Sequence, residues 1–205
     1  MTTLWSFTLR CLQVSNSTPA NREPARTDAQ AKVRLLRVLN LSLSTVCDRG
    51  IWLISPTPGA GGTFTALTNP PIVPLKTRES RIYIRSSIQF EYIDHPSFRG
   101  ERKASTHQYA HTVGESETLK PQLYSWEWAS VEPTYPHLHL RRSDPAFAGL
   151  GKLHIPTGRV FYEDVLRFLI QEHGVEGVRE DWNEVLGESF SRVSTYSSWG
   201  GGRET

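Results

Sequence analysis

The run Pro136-His137-Leu138-His139-Leu140 places two imidazoles two residues apart. In an extended strand that spacing projects both rings to one face, roughly 7 Å apart at Cα, and sends the leucines to the other face, toward a core. A third ring follows in Lys152-Leu153-His154-Ile155-Pro156-Thr157-Gly158-Arg159. His107 and His111 share the odd-numbered positions of an earlier run with Tyr109. Five of the seven histidines therefore fall on predicted strands, and pairing of those strands would gather them into one polar patch.

Three readings fit such a patch. His137 and His139 with His154 would resemble the three-histidine sphere of a catalytic zinc, whose open position acidifies a bound water. Without a metal, one imidazole accepts a ribose 2′-hydroxyl proton, another protonates the leaving oxygen, and nearby cations stabilise the phosphate. On that reading His137, His139, His154 and Arg159 are the candidate catalytic residues, and Arg141, Arg142 and Lys152 the candidate nucleic-acid contacts. The third reading is a set of hydrogen-bonded histidines on a half-exposed sheet face, or an interface for a protein partner. No carboxylate or cysteine stands at a supporting ligand spacing, so neither a metal nor another cofactor is expected.

Other segments carry weaker chemistry. Tyr124, Trp126 and Trp128 share one strand face and would stack on single-stranded RNA if exposed, but their alternation with Ser125 and Glu127 favours core packing. The segment Pro58-Gly59-Ala60-Gly61-Gly62-Thr63 lacks the Gly-Lys-Ser/Thr ending of a phosphate loop and reads as flexible chain. Glu163 and Asp164 suit the positive end of a helix dipole. No G-x-S-x-G, H-E-x-x-H, G-x-G-x-x-G or C-x-x-C motif is present, which argues against a serine hydrolase, a zincin, a dinucleotide enzyme and a zinc finger.

The elements that must position these residues follow from periodicity. Val33 to Val46 sets Leu35, Leu36, Leu39 and Leu43 at helical spacing. Residues 55 to 75 hold five prolines and three glycines, which predicts a linker. From Arg81 the period is two, with Ile82, Ile84, Ser86, Ile88, Phe90 and Tyr92 on one face. Further extended runs are expected from Lys103 to Val113, Leu123 to Val131, Tyr135 to Arg141 and Lys152 to Ile155. Helical periods then cover Glu163 to His173, stopped by Gly174, and Arg179 to Val193.

The expected fold is therefore α+β, an antiparallel sheet of four or five strands packed on one face by two C-terminal helices, with a basic N-terminal arm. The expected divisions are a helical or irregular arm over 1–54, a Pro/Gly-rich linker over 55–77, the α+β domain over 78–196 and a disordered tail over 197–205. The 205 residues carry a formal charge of +2 and only two cysteines, which excludes collagen, coiled coil and a disulfide miniprotein. Val38 to Cys47 falls far short of the roughly 20 apolar residues of a membrane span, and the first residues lack a basic region followed by an apolar core, so a cytoplasmic protein is expected. The basic excess lies in residues 1 to 75, which permits loose attraction to nucleic acid or to an acidic partner.

The order Tyr124-Ser-Trp126-Glu-Trp128, Pro136-His137-Leu-His139, His154-Ile-Pro156-Thr157-Gly158-Arg159-Val160 and Glu163-Asp164-Val-Leu166 resembles a group of small uncharacterised bacterial proteins. It is also similar, more distantly, to TumE-like toxins of toxin–antitoxin modules, which place a Pro-His strand before an Asp-Val-Leu helix. The resemblance covers roughly residues 80 to 190. It implies a cytoplasmic bacterial protein, toxin-like or defence-associated. RNA is the target that the histidine patch with its neighbouring cations would serve, and a cognate antitoxin or other protein is the partner a toxin-like role would take, with no membrane partner expected. A noncatalytic protein-interaction module is the alternative.

Overall fold

The computed structural model describes residues 24–129, 135–140 and 154–199. The first helix, α1 (Asp28–Leu43), begins at a capping box in which the Thr27 hydroxyl accepts the Gln30 N–H and the Gln30 side chain accepts the Thr27 N–H. Its buried stripe, Ala31, Leu35, Val38, Leu39 and Leu43, is the expected apolar face.

Nine strands, among the described residues, make one sheet: β1 (Ile51–Pro56), β2 (Thr63–Asn69), β3 (Val73–Lys76), β4 (Arg81–Asp94), β5 (Arg102–Gly114), β6 (Gln122–Ala129), β7 (His137–Leu140), β8 (Ile155–Pro156) and β9 (Ser197–Trp199). The main path runs β1-β2-β4-β5-β6-β7-β8, every neighbour antiparallel. The long strands β4 and β5 form its spine. β3 pairs with residues 81–84 of β4 while β2 pairs with residues 87–91. In the same way β9 runs parallel to residues 104–106 of β5, and β6 pairs beyond them.

The fold is α+β as the pattern predicts, with a larger sheet and with the expected first helix packed beside the two C-terminal ones and not set apart in an arm. The stretch 55–77 is not a linker: it carries the end of β1 and all of β2 and β3. Its glycines sit in the hairpin loop, where Gly59 and Gly62 take positive φ, and Pro74 lies on β3, which pairs on one side with β4 and leaves the proline exposed. The chain before it is likewise no separate arm over its described part. α1 and β1 contribute Leu39, Leu43, Trp52 and Ile54 to the same core as the rest of the protein. Ser197–Trp199, expected within the tail, pairs with β5.

Two later helices, α2 (Tyr162–His173) and α3 (Trp182–Tyr196), complete the second layer. Gly174 ends α2 in the left-handed conformation, φ 63°, as the glycine stop predicts. Tyr162 and Phe168 of α2 pack edge-on against Trp52 and Trp126 of the sheet, and α1 lies beside both α2 and α3. The inner sheet face, with Ile84, Phe90, Val113, Trp126 and Trp128, is thus closed by helices. Among the described residues no helix is long and apolar enough to cross a membrane.

A close approach fixes the turn that leads into β6. A Cβ on Gly114 would stand 2.5 Å from the Leu119 Cα, so only glycine fits there. The register that follows sets Ser125 opposite His139 and Glu127 opposite His137.

Candidate functional site

Residues directly opposite on paired strands share a face. His137, His139, Ser125 and Glu127 therefore stand together on the outer face, and Leu138 and Trp126 on the inner one, which is the orientation the H-x-H alternation predicts. β8 adds the third ring: its pairing sets Pro156 opposite His137, and the Thr157 N–H donates to the Pro136 carbonyl at 2.9 Å. His154, two residues before Pro156, lands on the same face.

The three rings converge. Their centroids are 4.8 Å apart for His137 and His139, 4.6 Å for His137 and His154, and 4.6 Å for His139 and His154. His137 and His154 stack nearly parallel, at 14°, while His139 stands close to perpendicular to both. One nitrogen from each lies within 4.8 Å of the others. A cation held at 2.0–2.1 Å by three imidazoles in a tetrahedron needs those nitrogens about 3.3 Å apart, so closing on an ion takes shifts of about 1.5 Å, within the reach of small ring rotations.

The surroundings differ from ring to ring. His137 is 4% exposed, and its Nδ1 lies 3.0 Å from the Tyr135 carbonyl, a contact that takes the proton on Nδ1 and turns Nε2 to the cluster. The His139 side chain is 13% exposed and its Nε2 lies 3.8 Å from Glu127 Oε2. His154 is exposed. The cluster therefore has a buried floor and an open rim, suited to a ligand arriving from solvent.

His107 and His111 do not join it. A bulge sets Gln89 opposite Gln108 but Phe90 opposite Thr106, so His107 is the extra residue and the alternation of β5 reverses there. His107 consequently faces Glu91, with Nε2 at 3.3 Å from its carboxylate. His111 points to the helices, 1% exposed, between Tyr109 and Tyr162. Burial pushes its imidazole down to about 3, so it is neutral across the physiological range.

Arg159 places its guanidinium 5.8 Å from the centroid of the Phe161 ring, and its charge acts on the Tyr109 hydroxyl of the inner face. Arg141, Arg142 and Lys152 lie outside the described residues. Trp126 and Trp128 are buried, and Tyr124 packs on Phe168 and His173, so these aromatics are core and not a stacking platform. Glu163 and Asp164 stand in the first turn of α2 as expected, but Glu163 is buried there: it is 1% exposed, and its Oε1 accepts from Ser42 of α1 at 2.6 Å and from Ser189 of α3 at 2.7 Å. Desolvation raises its carboxyl pKa against the lowering effect of those two hydroxyls.

Glu127, Ser125 and Tyr135 join the site without being among the candidates that residue type and spacing single out. The signal for the first two was their alternation with Trp126 and Trp128: whatever face the tryptophans bury, Ser125 and Glu127 take the other, where the histidines stand. Tyr135 acts through its carbonyl, which no side-chain pattern reveals.

Neither a protein-family model, nor a curated protein, nor a solved structure matches this chain. The class that the fold and site define is an α+β protein with three imidazoles gathered on the outer face of its sheet.

Proposed function

We propose that His137, His139 and His154 hold one divalent first-row metal ion and that the protein uses it for metal-assisted hydrolysis. The observation that carries this reading is the convergence of three ring nitrogens within 4.8 Å, two from β7 and one from the residue just before β8, its paired neighbour. Three imidazoles leave coordination positions for water or substrate, and an ion there acidifies the water or polarises the bond under attack. The test is metal content and titration of the full chain. Wild type is expected to bind about one Zn²⁺ per chain with affinity in or below the micromolar range, and His137→Ala/His139→Ala to lose it. Wild type without such a site, or a double variant that binds equally well, ends this reading.

The anchored Nδ1 of His137 favours a second, metal-free use of the same rings. With that nitrogen fixed, Nε2 is left to take or give a proton, and His154 lies against it as the complementary acid or base. RNA cleavage at the 2′-hydroxyl is the reaction that needs such a pair, and it fits a toxin-like or defence-associated protein of the bacterial cytoplasm held in check by a cognate protein partner. Cleavage of RNA and growth arrest that persist in chelator and vanish in the double variant select this reading over the first.

A further inference from the structure

A dication beside His137 would sit in a poorly hydrated corner with three neutral ligands and no compensating charge. The sheet supplies that charge from β6. Glu127 Oε1 accepts a hydrogen bond from Ser125 Oγ at 2.5 Å, Ser125 is fully buried, and its hydroxyl lies 3.0 Å from that of Thr112 on the next strand. One carboxylate oxygen is thus fixed by a hydroxyl pair rooted in the sheet. The other, Oε2, is turned toward the cluster and lies 3.8 Å from His139 Nε2. That separation is shorter than the widest one inside the histidine set, 4.8 Å. Two donors on one ion at 2.0–2.2 Å stand roughly 3–3.5 Å apart, so Oε2 needs only a small movement to share an ion with His139, while Glu127 stands outside the set whose donor atoms all lie within 4.8 Å of one another and must turn further to reach an ion shared with His137 and His154.

We propose that Glu127 is the fourth protein ligand of the metal centre, which makes the donor set three imidazole nitrogens and one carboxylate oxygen, with Ser125 as the residue that positions the carboxylate. This rests on the metal-centre reading above. The donor set has a consequence for metal choice. Four protein donors close a tetrahedron, so a zinc held that way keeps no position for substrate, whereas an ion that takes five or six ligands keeps one or two. The site is therefore suited to Mn²⁺, Fe²⁺, Co²⁺ or Ni²⁺ in a five- or six-coordinate state, with water on the open side left by the exposed rim at His154 and Glu127.

Co²⁺ alone is the probe, added to the full-length protein, because its visible absorption is weak in six-coordination, intermediate in five and intense in four. Wild type is expected to show weak to intermediate absorption. Glu127→Gln and Glu127→Ala are expected to shift toward the intense four-coordinate spectrum, with affinity falling by more than the about 10–100-fold that loss of an outer-shell partner costs. Circular dichroism of both variants checks that the sheet is intact, since Glu127 is 42% exposed and its replacement leaves the core untouched. A spectrum unchanged in both variants overturns the proposal, whether or not affinity falls, because Glu127 would then act only through His139. Wild type that takes up no Co²⁺, or takes it up equally after His137→Ala/His139→Ala, removes the metal centre itself and is told apart by that double variant.

Discussion

His137 and His111 stand one strand apart from β6 on either side, and opposite fates follow from the faces they take. Ala110 shares the outer face with Glu127, so His111 must point inward, where nothing compensates a charge. Its imidazole is held at about 3 against an ordinary value of about 6.5, purely by desolvation. The folded chain therefore binds fewer protons there than the unfolded chain between those two values. The stabilising contribution is fully present above about pH 6.5 and is lost as pH falls through that window. At about 1.4 kcal/mol per pH unit, the loss at pH 5 is on the order of 2 kcal/mol. His111→Phe, which keeps the ring stacking with Tyr109 and Tyr162, is expected to lose less of its urea midpoint between pH 7 and pH 5 than wild type does. Parallel midpoint curves for the two proteins would show that His111 stays neutral for no cost, against the desolvation account.

Among the elements, the three helices meet at a single carboxyl. Ser42 of α1, Glu163 of α2 and Ser189 of α3 share hydrogen bonds, with the two serine hydroxyls 2.5 Å apart and Glu163 Oε1 accepting from both. Burial raises the Glu163 pKa, so the folded state holds its proton to higher pH than the unfolded state does. The contribution to stability is present below the ordinary carboxyl value and is lost as pH rises through the folded value. Glu163→Gln keeps an oxygen for both serines and cannot ionise. It is expected to be at least as stable as wild type at pH 8, and its melting temperature relative to wild type at the same pH is expected to rise from pH 5 to pH 8, since the His111 contribution is common to both proteins and cancels in that difference. A variant whose deficit against wild type grows as pH rises from 5 to 8 would mean that the carboxylate is stabilising in its charged form. This cluster was invisible in the sequence for a plain reason. An acid in the first turn of a helix satisfies the dipole rule whether it faces water or core, and only the docking of α1 and α3, 121 and 26 residues distant, decides which. The helices themselves were legible, because Leu35, Leu39 and Leu43, and Val165, Leu166 and Leu169, carry the 3.6-residue period that packing then uses. The bulge at His107 was not, since one inserted residue reverses the face of every side chain beyond it without altering composition.

At the scale of the whole molecule, the question is whether the segment before β4 is an accessory or part of the fold. Proline and glycine density made 55–77 read as a break, yet those residues mark loop tips and edge positions between short strands, which local composition cannot distinguish from a linker. The core does distinguish them. Leu35, Val38, Leu39, Leu43, Trp52, Ile54, Ala66, Val73 and Leu75 are all buried in the cluster that also holds Phe90, Trp126 and Leu166. Removing them forfeits roughly 1.5–3 kcal/mol for each large side chain, which for seven or eight such residues is as large as, or larger than, the roughly 5–15 kcal/mol by which a domain is stable at all. It also strips Ser42 from Glu163, Asn40 from the Trp52 N–H and β2 and β3 from the outer edge of β4, leaving that edge open to aggregation. A chain reduced to residues 78–205 keeps the three histidines and Glu127, and so every residue assigned to the metal centre. It is nonetheless expected to be insoluble, or to melt without cooperativity, and to give a Co²⁺ spectrum unlike that of the full chain. The His137–His139–His154 geometry depends on β7 being registered against a β6 that is itself held by the β4–β5 spine. A soluble fragment that melts cooperatively near the full-chain temperature would restore the domain boundary at residue 78 and make α1 with β1 to β3 an appendage on a core that folds without it.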